Sequence, residues 1–85
     1  MSTTPQTIRQ AVIDSVQAIA PEADFASLDP RRPFREELDL DSFDFLNVLI
    51  ELHARLGVEI PEADYGKLDT LETMLGYLAA RLESA

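Results

Sequence analysis

The sequence predicts an all-α protein, a small four-helix bundle of three main helices and a short third one, with a long loop between the first and second helices. Two observations carry this reading. Apolar residues recur three and four apart in three separate stretches, the spacing that lines one face of a helix, and no apolar/polar alternation runs long enough to suggest a sheet. Size and composition bound the rest. The 85 residues are expected to form one domain, 1–85, and the hydrophobic fraction of 46% suffices for one compact core. A deep catalytic cleft is not expected, because a chain this short buries only about 60 to 65% of its unfolded surface.

The first helix is expected to start near Thr3 or Thr4, with Pro5 tolerated in the first turn. Ile8, Val12, Ile13, Val16 and Ile19 share one face, and Pro21 forces an end around Ala20. From Pro21 to Asp41 the chain has three prolines and no period, so a long ordered loop is expected, anchored by Phe25, Leu28, Phe34, Leu38 and Leu40. The second helix begins at Asp41 or Ser42 and runs to about Leu56, where Gly57 supplies a left-handed stop. Asp41 as N-cap puts Asp44 at the third helical position, where a carboxylate suits the positive end of the helix dipole. After Pro61 the segment "EADYGKL" has room for a turn or two of helix. The last helix is capped by Asp69 or Thr70, with Glu72 or Thr73 at its third position, and carries Leu71, Met74, Leu75, Leu78 and Leu82 on one face.

Charge and composition narrow the function. A net charge of −9, with only seven scattered basic residues, argues against nucleic acid as a partner and suits basic patches on other proteins. There is no cysteine, which excludes disulfides, thiolate catalysis and cysteine-ligated zinc. The N-terminal "MSTTPQTIRQ" lacks a basic segment followed by an apolar core, and no uncharged apolar run approaches the roughly 18 residues that span a membrane. A soluble, cytoplasmic, monomeric protein is the expectation.

The segment "FREELDLDSFDFLNVLIEL" sets Ser42 between two aspartates, ahead of the most apolar run in the chain. Ser42 is not a catalytic nucleophile. The one histidine, His53, lies eleven residues on in the same helix, about 16 Å along the axis, and no Gly-x-Ser-x-Gly elbow surrounds the serine. Asp39, Asp41 and Asp44 fail as a calcium loop, since the fifth, sixth and twelfth positions are Phe43, Asp44 and Ile50. A serine at a helix start is most often a cap, but Asp41 can fill that role, leaving the hydroxyl outward where a phosphate ester suits the helix end. Phe43, Phe45, Leu46, Val48, Leu49, Ile50, Leu52 and Leu56 cover more of the helix than one core stripe requires. Sandwiching between neighbouring helices accounts for part of that excess. The remainder, with Phe43, Phe45 and Ile50 as candidates, is expected to form a docking surface or the mouth of an apolar pocket beside Ser42.

At these residues the chain resembles the acyl carrier proteins and the related peptidyl carrier domains. "PFREELDLDSFDFLNVLIEL" is similar to that family's attachment segment, and "LGVEIPEADYGKLDTLETMLGYL" to its continuation through Ile-Pro into a short third helix and a Thr-headed last helix. The match runs without gaps from about Phe34 to Leu78, with Asp41-Ser42 in register with Phe34, Leu38, Ile60, Pro61, Leu68 and Thr70. The resemblance implies that Ser42 receives 4′-phosphopantetheine from coenzyme A as a phosphodiester. It implies that Asp41 assists recognition by the phosphopantetheinyl transferase. The arm's thiol would carry acyl or aminoacyl groups between acyl-transferring, ligating or condensing enzymes, the carrier itself being no catalyst and holding no metal. The partner face would comprise Phe43, Asp44, Phe45, Leu46, Asn47, Ile50 and Glu51.

Three departures from the family pattern bear on partners. Phe43 stands where leucine is usual, Asp39 stands where many members have glycine, and Asn47, His53, Ala54 and Arg55 interrupt the acidic stripe of bacterial fatty-acid carriers. Partners that read such a stripe through basic residues should bind more weakly. The expectation is therefore a specialised lipid, polyketide, peptide or lipid A pathway. The alternative is an unmodified helical interaction module that retains the fold.

Overall fold

A computed structural model of the chain describes residues 4–84. The elements are α1 (Pro5–Ile19), α2 (Phe34–Glu37), α3 (Ser42–Leu56), a 3-10 helix (Glu62–Leu68) and α4 (Leu71–Ser84). Among the described residues there is no strand, only an isolated antiparallel bridge between Pro33 and Thr70. The all-helical bundle expected from the periodicity is borne out.

Each main helix starts where a side chain can satisfy its first N–H groups. Thr4 Oγ1 accepts from Thr7 N at 3.2 Å, which sets the start of α1 at Pro5, while Thr3 lies outside the described residues. Asp41 Oδ1 accepts from Asp44 N at 2.8 Å and opens α3. Thr70 and Thr73 cap α4 reciprocally, Thr73 N donating to Thr70 Oγ1 at 3.1 Å and Thr70 N to Thr73 Oγ1 at 3.2 Å. Gly57, with φ 69°, ends α3 in the left-handed conformation that glycine adopts without penalty.

α1 packs against α3 and α4, and the 3-10 helix packs on α4. The core gathers Ile8, Val12 and Val16 of α1, Val48, Leu49 and Leu52 of α3, and Leu71, Met74 and Leu78 of α4. Ser15 is buried within it and donates its hydroxyl to Ala11 O at 2.7 Å, so its burial leaves no orphaned donor.

The long loop departs from expectation in one respect: it contains α2, a single turn following Pro33. One turn is too short to display a period, and Phe34, fully buried, is what holds it down. Leu40 is also buried, with Phe25, Leu28 and Leu38 packed against the core, so all five expected anchors serve as such. Backbone bonds from Phe34 N to Asp69 O at 2.7 Å and from Glu72 N to Pro30 O at 3.0 Å tie this loop to the start of α4.

The segment after Pro61 is a 3-10 rather than an α helix, and side chains clasp it to α4. The Tyr77 hydroxyl donates to Asp64 Oδ2 at 2.6 Å, Arg81 Nη2 reaches the same oxygen at 2.9 Å, and Lys67 Nζ lies 3.3 Å from Oδ1. The Tyr77 bond, seconded by the two cations, holds the Asp64 carboxyl below its ordinary value, whereas partial burial and that same bond hold Tyr77 above its own.

Candidate functional site

Ser42 is the first residue of α3, and the fold brings α2 back against it. After α2 the chain turns at Asp39, whose φ of 54° is left-handed, a conformation that aspartate tolerates better than most residues. That turn sends Leu40 into the core, with Leu40 N donating to Arg35 O at 2.8 Å. Arg35 and Ser42, seven residues apart, thereby meet: Arg35 Nη2 donates to Ser42 Oγ at 2.9 Å. The guanidinium carbon sits 5.7 Å from the Phe45 ring centroid, and Phe45 packs edge-on against Phe34. The hydroxyl expected to stand free of contacts is thus held by a cation.

Beside Ser42 lies a groove of about 390 Å³ between α3 and the 3-10 helix, lined by Arg35, Ser42, Phe45, Leu46, Tyr65, Gly66 and Asp69. A second hollow of about 310 Å³ follows along α3, lined by Leu49, Ile50, His53, Ala54, Ile60 and Tyr65, so Tyr65 borders both. A cleft between the end of α1 and the loop reaches Asp39 and Asp44 but not Ser42.

The expected partner residues separate into two groups. Phe43, Leu46 and Ile50 are exposed at 71, 40 and 57%. Phe45 is a correction to the docking-surface expectation, because at 8% exposure it belongs to the core, but it lines the groove beside Ser42, as the pocket-mouth alternative has it. The reason is helical spacing: Phe45, Val48, Leu49 and Leu52 form the inward stripe, and Phe43, Leu46 and Ile50 fall off it. Asp44 is half-buried, Asn47 Nδ2 donates to Phe43 O at 3.0 Å, and Glu51 pairs with Arg55 at 3.8 Å. Among the described residues no three His, Asp or Glu side chains gather as metal ligands, and no helix is long and apolar enough to cross a membrane.

Sequence reasoning missed Arg35. Pro33 followed by Glu36 and Glu37 is a usable helix-start signal, but the contact with Ser42 depends on the reversal at Asp39, which spacing alone does not reveal.

Residues 6–78 match the model of the family described as the phosphopantetheine attachment site, and the chain belongs to that family. An acyl carrier protein of Rubrobacter xylanophilus is 30% identical over 73 residues, covering 82% of this chain and 90% of the relative. One from Thermosynechococcus vestitus is 33% identical over 72 residues, covering 79% and 86%. A meromycolate extension acyl carrier protein of Mycobacterium tuberculosis is 27% identical over 67 residues, covering 79% of this chain and 55% of the relative. The resemblance read from the sequence is borne out. The protein is a carrier of covalently attached 4′-phosphopantetheine, not an enzyme, and works with a phosphopantetheinyl transferase and acyl-handling enzymes.

Proposed function

We propose that Ser42 is the attachment point and that the loaded carrier serves a specialised lipid or secondary-metabolite pathway. The observation that carries the first part is a division of roles at the start of α3. Asp41 Oδ1 satisfies Asp44 N, so the Ser42 hydroxyl is not needed as a cap and lies exposed within the matched region. The surroundings suit a phosphodiester: a guanidinium at 2.9 Å, the positive end of a 15-residue helix, and a groove starting at the serine. When bound, the group supplies a terminal thiol for thioester exchange, which this cysteine-free chain lacks.

The chain's own residues divide the remaining tasks. Asp41 fixes the helix start and offers its second carboxylate oxygen for recognition by the transferase. Ser42 Oγ would lose its proton as it bonds to the coenzyme A phosphorus that carries the pantetheine arm, while the pyrophosphate P–O bond breaks and adenosine 3′,5′-bisphosphate leaves. Phe43, Leu46 and Ile50, flanked by Asp44, Asn47 and Glu51, offer partner enzymes an apolar patch with a thin acidic border. That border is sparser than a continuous acidic stripe and selects partners by apolar contact rather than by charge alone. Likeness to carriers named for meromycolate extension is compatible with a specialised lipid cargo.

The test is intact mass after incubation with coenzyme A and a broad-specificity phosphopantetheinyl transferase. The parent gains one phosphopantetheinyl group and Ser42→Ala gains none. No gain in the parent, or an undiminished gain in Ser42→Ala, overturns the assignment.

A further inference from the structure

We infer that Arg35 is a positioning residue for the arm, its guanidinium pairing with the phosphodiester formed on Ser42. The inference rests on the Ser42 reading and goes beyond it. Its first support is geometric, since Arg35 Nη2 already lies 2.9 Å from the oxygen that would carry the phosphorus. A phosphorus bonded to that oxygen brings its two non-bridging oxygens within reach of the same planar donor fork.

The second support is the distribution of charge pairs. Of the seven basic residues, five, Arg31, Arg32, Arg55, Lys67 and Arg81, pair with carboxylates, and Arg9 on α1 has no such pair among the described residues. Arg35 pairs with none among the described residues, although Glu36 and Glu37 adjoin it in sequence, and it directs a donor at a neutral hydroxyl instead. In a chain of net charge −9 this arginine is set aside from the acids and aimed at one oxygen. The third support is rigidity. The Phe45 ring under the guanidinium is buried, and Arg35 O is tied to Leu40 N, so the exposed side chain extends from an anchored backbone over a fixed ring face. A phosphodiester adds a negative charge beside Asp41 and Asp44, and Arg35 is the cation positioned to offset it.

Arginine presents two parallel donors where lysine presents a point charge, so Arg35→Lys should restore only part of the effect and Arg35→Gln none. Parent, Arg35→Lys and Arg35→Gln are each loaded by the transferase, and loading is verified by intact mass. The ³¹P resonance of the folded holo-protein is then compared with that of the same protein in urea, and the thermal midpoint is measured before and after loading. In the parent the phosphorus resonance moves on folding, and that displacement is lost in Arg35→Gln. Loading shifts the parent's midpoint more favourably than that of Arg35→Gln, by about 2 to 4 °C, and the difference shrinks in high salt. Equal ³¹P displacement and equal midpoint change in parent and Arg35→Gln overturn the role of Arg35. Failure of the parent to gain mass sinks the Ser42 assignment itself, and this inference with it.

Discussion

At the residue scale, a single left-handed aspartate decides how the site is put together. Asp39, at φ 54°, lets the chain turn from α2 into α3 over four residues, Leu38 to Asp41, burying Leu40 while leaving Arg35 beside Ser42. Glycine meets that conformation without steric cost and a β-branched residue does not. Asp39→Gly should therefore keep or slightly raise stability, while Asp39→Val should lower it by about 1 to 2 kcal/mol. Urea unfolding followed by circular dichroism checks both, and a valine variant with the parent's midpoint would rule out the strain account.

At the element scale, α3 separates holding the fold from meeting partners by face. Phe45, Val48, Leu49 and Leu52 point inward, while Phe43, Leu46 and Ile50 point outward from the same 15 residues. Phe45→Ala should cost about 3 to 5 kcal/mol. That is a large share of the roughly 4 to 13 kcal/mol such a chain can muster. Phe43→Ser and Ile50→Ser should leave stability within about 0.5 kcal/mol of the parent and still accept the arm, yet slow acyl exchange with a cognate enzyme. Unfolding midpoints, loading by mass and turnover by the partner separate these outcomes. A partner that turns over the two exposed-site variants as fast as the parent would show that this face is not read.

At the scale of the whole molecule, stability at the extremes of pH depends on the clasp between the 3-10 helix and α4. Folding depresses the Asp64 carboxyl below its ordinary 3.8, chiefly through the Tyr77 hydrogen bond. The stabilisation is therefore present above pH 3.8 and is lost as pH falls through the folded value below it. Tyr77 runs the other way. Burial and Asp64 raise it above 10.0, so its contribution is complete below pH 10.0 and is lost as pH climbs through the raised value. Asp64→Asn should thus be less stable than the parent by a constant margin between about pH 5 and 9, and the margin should close in stronger acid. Urea midpoints across pH report it, and a margin that persists undiminished at pH about 2 would refute the clasp. Because Tyr65 and Gly66 of the clasped helix line the groove beside Ser42, the same interaction fixes one wall of the site.

What the sequence determined by itself was local. Helix faces follow from apolar spacing, and starts and stops, to within a residue, from Thr3 or Thr4, Asp41 or Ser42, Asp69 or Thr70, and Gly57, because each of these signals lies within a few residues of the structure it dictates, while the family shows in Asp41-Ser42 standing in register with Phe34, Ile60 and Pro61. The tertiary structure alone decided the rest. It drew Phe45 into the core although Phe43 and Ile50 stayed out, since a helix with apolar residues on most sides takes its inward face from the position of its neighbours. It made the segment after Pro61 a 3-10 helix, clasped through Asp64 to Tyr77 and Arg81, partners 13 and 17 residues away. And it set Arg35 against Ser42, a contact that exists only because Phe34 is buried beneath one end of the turn and Leu40 beneath the other.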